Sequence, residues 1–172
     1  MMRPLTESEI RSSFVNCSKG EARRLFVPRD LPGLPWADLD FLGWRDPGAP
    51  DRAYLVAERG GELTGVVLRA VHEVRRSAAK STMCSVCLTP HAGSGSTLFT
   101  AARVGAAGRQ GNTVGVHMCA DLACPLYLRG LRKSETGLRF TESLSLEERV
   151  ARAGANLDAF LAKILHGEAA AS

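Results

Sequence analysis

Four of the five cysteines in this 172-residue chain stand in two close pairs. Cys84-Ser85-Val86-Cys87 is a C-x2-C pair, Cys119-Ala120-Asp121-Leu122-Ala123-Cys124 is a C-x4-C pair, and thirty-one residues separate Cys87 from Cys119. Two thiolate pairs suit tetrahedral zinc, which takes sulfur ligands at about 2.3 Å. The first pair fits a tight turn, or knuckle. The second fits the start of a helix, where the dipole favours thiolate. Four thiolates close the coordination shell, whereas catalytic zinc keeps one position open, so the spacing predicts structural zinc held by Cys84, Cys87, Cys119 and Cys124. His117, which shares a strand face with Cys119, and His91 are the alternative ligands, with His91 falling in the loop after the first pair. Cys17 is left over and reads as a buried or neutral thiol.

Competing cysteine chemistry is less well supported. The N-terminus, Met1-Met2-Arg3-Pro4-Leu5-Thr6-Glu7, has no apolar signal segment, so a cytoplasmic chain with free thiols is expected and disulfides are not. A redox C-x-x-C does not explain the second pair and lacks a βαβ context. The H-x-E motif of zinc deaminases is missing, because His72 and Glu73 are adjacent and far from the pairs. A nucleophilic Cys84 or Cys87 has no Ser/His/Asp arrangement or paired carboxylates beside it. No enzyme and no small-molecule substrate are expected.

The pairs need elements to hold them. Thr6-x-x-Glu9 has capping-box form and opens a helix, and a second short helix fits Ser18 to Leu25. Pro28, Pro32, Gly33 and Pro35 then interrupt regular structure. The stretch from Leu34 to Trp44 holds both tryptophans and reads as an apolar loop, either packed on the core or exposed as an aromatic binding loop. Residues 46–50 read as a turn. Strands are expected at Ala53–Ala57 and Leu63–Val71 around a Gly60-Gly61 turn, then at Thr97–Ala102 and Thr113–His117. The Gly-rich run between the last two lacks the Lys-Ser/Thr ending of a phosphate-binding loop and reads as a hairpin loop. A helix is expected from Ala120 to Arg132, with Pro125 in its first turn. A last helix runs from about Leu146 to Leu165, with Ser145-x-x-Glu148 as capping box, Gly167 beyond it and a frayed tail after that.

The order knuckle, hairpin, helix start is that of a treble clef. The expected fold class is α+β: a treble-clef zinc-finger module with antiparallel strands, short N-terminal helices and a C-terminal helix. Its expected parts are residues 1–50 as a helical and loop segment packed on the core, 51–145 as the β-rich zinc-binding module, and 146–172 as helix and tail, together forming one compact domain.

Charge is uneven. The chain carries a net +4, yet from Arg69 to Lys133 nine basic residues face only Glu73 and Asp121, an excess of seven. The basic segment is therefore the cysteine segment, which points to an acidic protein partner or RNA, or to a solvated face. The candidate contacts are Arg103, Arg109, Arg129, Arg132 and Lys133. No run approaches the roughly 20 apolar residues of a membrane span.

Several motifs together resemble the elongation factor G-binding family. They are Ser13-Phe14-Val15-Asn16-Cys17, Leu39-Asp40-Phe41-Leu42-Gly43-Trp44-Arg45-Asp46, Met83 to Leu88, Gly108 to Gly115, and Cys119 to Cys124. The resemblance spans roughly Pro4 to Phe160. It implies a C-terminal treble-clef zinc finger and kinship with FusB-type fusidic acid resistance proteins. It also implies a non-enzymatic protein that binds the C-terminal domains of elongation factor G and promotes the factor's release from the ribosome. Two features depart from the FusB type: the N-terminal part is shorter, and a cysteine, Cys119, stands where those proteins use a histidine. The alternative is a basic zinc module binding ribosomal RNA or another nucleic acid.

Overall fold

The computed structural model describes residues 1–71, 81–135 and 142–166. Three expectations, the contribution of Arg75, Arg76 and Lys80 to the basic segment, Gly167 beyond the last helix and the frayed tail, lie outside the described residues. Two short helices open the chain, α1 (Glu7–Ser12) and α2 (Lys19–Arg24). Thr6 and Glu9 form the full capping box at α1, and Ser18 caps α2.

Five antiparallel strands make the main sheet, in the order β1 (Leu42–Asp46), β2 (Ala49–Arg59), β3 (Glu62–Ala70), β6 (Ser96–Ala102), β7 (Thr113–Cys119). Between β3 and β6 lies a small hairpin of β4 (Ser81–Met83) and β5 (Pro90–Ala92). One turn of helix, α3 (Ala106–Arg109), sits in the β6–β7 connection; α4 (Cys124–Leu128) follows β7, and α5 (Leu146–His166) ends the described chain.

Period-2 alternation divides β2 between two cores. Ala53, Leu55 and Ala57 join Val66, Leu68, Phe99, Met118 and the apolar stripe Leu157, Phe160, Leu161 and Ile164 of α5. Tyr54 and Val56 face the other way, onto Met2, Leu5, Ile10, Trp36 and Trp44. The sheet is thus covered by the N-terminal segment on one face and by α5 on the other. At the head of α5, Ser145 and Glu148 exchange the two hydrogen bonds of a capping box.

β3 pairs with β6 over two residue pairs alone, Arg69 with Thr100 and Ala70 with Phe99. Where the strands part, residues 13–15 run beside β3: Val15 N–H donates to the Gly65 carbonyl (2.9 Å) and Gly65 N–H to that of Ser13 (2.8 Å). The Asn16 amide spans the gap. Its Nδ2 donates to the carbonyls of Val67 and Ala102 (3.1 Å each), and its Oδ1 accepts from Val67 N–H (2.8 Å). A side chain here does the work of a strand ladder.

The expected α+β class, antiparallel strands, short N-terminal helices and C-terminal helix are all present. Two local readings are corrected. Residues 42–46 are strand, where a loop is expected up to Trp44 and a turn over 46–50; Leu42 and Trp44 alternate with Gly43 and pair against β2 from Val56 to Tyr54, and the turn narrows to residues 47–48. Trp36 and Trp44 are both buried, and their indole N–H groups donate to the carbonyls of Leu31 and Phe26, so neither is an exposed aromatic anchor. The helix expected over Ala120–Arg132 shrinks to Cys124–Leu128. Leu122 adopts a positive φ of 58° before it and Gly130 one of 68° after it, and both stop a right-handed helix.

Candidate metal centre

The first knuckle joins β4 to β5. Cys84 N–H donates to the Thr89 carbonyl (3.0 Å) and Leu88 N–H to that of Cys84 (2.9 Å), with Leu88 at φ 60°. This turn aims the N–H groups of Val86 and Cys87 at Cys84 Sγ, each at 3.4 Å. Ser85 N–H donates to the His117 carbonyl on β7 (2.8 Å), and Asn156 of α5 donates to the Val86 carbonyl (3.0 Å). Sheet and helix therefore both fix the knuckle.

The second knuckle runs from Cys119, the last residue of β7, to Cys124, the first of α4. Leu122 N–H donates to the Cys119 carbonyl (2.8 Å), and Asp121 Oδ1 accepts from Ala123 N–H (3.0 Å). Pro125 stands in the first turn of α4, where its missing N–H leaves no intrahelical bond unmade. Gly43 makes room for this loop, since a Cβ there would lie 2.6 Å from Leu122 Cβ. Arg45 packs over the Phe99 ring at 5.3 Å and donates to the Ala120 carbonyl (3.0 Å), tying β1 to the same loop.

The two knuckles meet. The four sulfurs of Cys84, Cys87, Cys119 and Cys124 all lie within 4.8 Å of one another, and all four residues are buried. Cys84 and Cys124 are 3.7 Å apart, and Cys87 and Cys119 are 3.5 Å apart. A regular tetrahedron of sulfurs around zinc at about 2.3 Å would have edges of roughly 3.8 Å, so the spacing fits the ion. Charge points the same way. Hydrogen bonds from Cys119, Cys124 and Cys87 hold the Cys84 thiol far below its usual range, while the Cys119 and Cys84 contacts drive the Cys124 thiol far above its own. Four sulfurs this close do not all ionise without a cation among them.

His91, one of the two alternative ligands, lies beside the four sulfurs and differs from expectation in its element. It sits on β5 rather than in a loop, is 2 % exposed, and places Nε2 3.1 Å from Cys119 Sγ. Burial holds its pKa below the usual imidazole range. Its signal in the sequence was only proximity to the first pair; the register of β4 against β5, which sets Thr82 opposite His91, carries it inward. His117, the other alternative, lies on β7, and the described four-sulfur group does not include it. Cys17 lies apart from the cluster, half-buried, with its thiol pKa raised by burial.

The candidate contact residues scatter. Arg129 forms a two-pronged ion pair with Asp40 (2.8 and 2.9 Å). Arg103 donates to the Lys163 carbonyl near the end of α5 (2.7 Å), and Arg132 pairs with Asp121 (2.9 Å). Arg109 and Lys133 are exposed, Arg109 on α3 and Lys133 beyond α4. Among the described residues, no helix is long and apolar enough to cross a membrane.

The family model described as the FBP C-terminal treble-clef zinc-finger matches residues 9–164. The chain belongs to that family. This FBP-family chain also resembles the solved structure of the fusidic acid resistance protein FusC, with a TM-score of 0.47 and 15% identity, over 82% of this chain and 51% of that one. It therefore spans about half the length of FusC. Comparison with curated protein sequences gives no match.

Proposed function

We propose that this protein is a non-enzymatic, cytoplasmic binding protein whose four cysteines hold one structural zinc ion and whose partner is translation elongation factor G, which it helps release from the ribosome. The observation that carries the reading is the family match across residues 9–164, which joins the motifs that resemble elongation factor G-binding proteins to the four-sulfur cluster. Bound zinc would supply a rigid crosslink between the two knuckles. A shell of four thiolates offers no open position for substrate, which supports binding over catalysis. Release would then come from binding energy and shape, with no chemistry on a drug or nucleotide.

Arg109 and Lys133 remain the better candidates for contact with an acidic patch, since Arg103, Arg129 and Arg132 have internal partners. Those internal pairings also weaken the nucleic-acid alternative. The test is a pull-down with purified elongation factor G, followed by release of the factor from ribosomes stalled with fusidic acid. Binding at micromolar protein with accelerated release supports the reading, and no binding at that concentration rejects it. Binding of ribosomal RNA that falls steeply with salt would favour the alternative.

A further inference from the structure

Among the described residues, a side chain that belongs to neither knuckle bridges the two. His91 stands on β5, the strand that leaves the first knuckle, yet its Nε2 lies 3.1 Å from the sulfur of Cys119, in the second. The ring is held from several sides. Its edge contact with Tyr127 has centroids 4.9 Å apart at 87°. A Cβ at Gly95 would sit 2.7 Å from His91 Cβ and 2.9 Å from Nδ1, so only glycine admits the ring at this depth. Tyr127 is fixed in turn, its hydroxyl donating to Asp121 Oδ2 (2.9 Å) inside the second knuckle. Knuckle, carboxylate, phenol, imidazole and thiol thus form a closed circuit.

A metal-bound thiolate is an acceptor only, so a contact at this distance requires the proton on Nε2. We propose that His91 is the positioning residue of the metal centre: its Nε2–H donates to the Cys119 thiolate, holds the second knuckle against the first, and draws charge from that sulfur. The other sulfurs differ. Cys84 has two backbone N–H donors, and Cys87 has the Thr89 hydroxyl 3.1 Å away. Cys119 relies on the imidazole of His91, a side chain outside both knuckles that mutation replaces without touching their backbone. Outer donors of this kind commonly change metal affinity by 10–100-fold.

The inference rests on the metal reading above, so zinc binding by the wild-type chain is measured first; a chain that binds none ends both. His91→Phe keeps a ring against Tyr127 but removes the N–H, and His91→Gln restores an amide N–H near the Nε2 position. Chelator competition should show zinc held 10–100-fold more weakly by His91→Phe and largely recovered by His91→Gln. In the zinc-loaded proteins, alkylation mapped by peptide mass spectrometry should speed up at Cys119 in His91→Phe and stay unchanged at Cys84; a purely structural defect would expose both. Nitrogen-15 NMR of the wild-type zinc form, which needs no variant to fold, should show a protonated, slowly exchanging Nε2. Affinity within twofold of wild type in His91→Phe, equal weakening in both variants, or an Nε2 that is bare or metal-bound would overturn the proposal.

Discussion

Cys84 sits deepest in the hydrogen-bond network of the centre, with two backbone donors aimed at its sulfur and Cys124 3.7 Å away. Serine offers an oxygen that is harder, smaller and hard to ionise, so Cys84→Ser should bind less than one equivalent of zinc. The melting temperature should fall by about 6–12 °C, corresponding to a loss of roughly 3 kcal/mol or more. Metal analysis with a thermal melt checks both. A second residue-scale expectation concerns Tyr54, which is 1 % exposed and donates to Asp46 Oδ2 at 2.6 Å. Burial first, then the Asp46 hydrogen bond, push its pKa from 10.0 up to about 12. Between those values the unfolded chain has lost the phenolic proton and the folded one keeps it, so stability is intact below pH 10 and declines as pH rises towards 12. The slope due to Tyr54 is at most about 1.4 kcal/mol per pH unit. Denaturant titrations at pH 9, 10 and 11 measure it, and Tyr54→Phe should flatten it.

At the scale of elements, the centre depends on how close strands and loops approach. Gly43 on β1 lies under Leu122, and the left-handed Leu122 shapes the second knuckle. Gly43→Ala should displace that loop, costing about 1–3 kcal/mol and weakening zinc binding, as read by chelator competition. On the other side of the sheet, Asn16 closes the gap between β3 and β6 with three hydrogen bonds. Asn16→Ala leaves Val67 N–H without its acceptor and should cost about 2–3 kcal/mol by urea unfolding, with zinc stoichiometry unchanged. These elements also show what the sequence could convey. The capping boxes at Thr6 and Ser145, the Gly60-Gly61 hairpin and the two cysteine pairs are local signals, and the structure places each as expected. The strand at residues 42–46 and the place of His91 are not legible locally, because both come from partners distant in sequence. β1 forms only against β2, and His91 reaches Cys119 only through the β4–β5 register. The helix expected over Ala120–Arg132 is too long at both ends: its apolar spacing runs from Leu122 to Leu131, while the positive φ at Leu122 delays its start and that at Gly130 ends it and leaves Leu131 exposed.

Across the whole molecule, a sheet covered on both faces suspends a small metal-binding corner from β7, the β4–β5 hairpin and the head of α4. The sulfurs belong to the same buried cluster as Leu55, Phe99, Met118 and Leu161. Loss of metal is therefore a loss to the core as well as to the knuckles. If the partner is elongation factor G, the shape it meets is the one this centre keeps. The direct test of the central claim is X-ray absorption at the zinc edge of the purified protein. Four sulfur neighbours at about 2.3 Å, with no nitrogen or oxygen in the shell, is the result expected of Cys84, Cys87, Cys119 and Cys124. A shell with three sulfurs or fewer, or a nitrogen from His91, would contradict it.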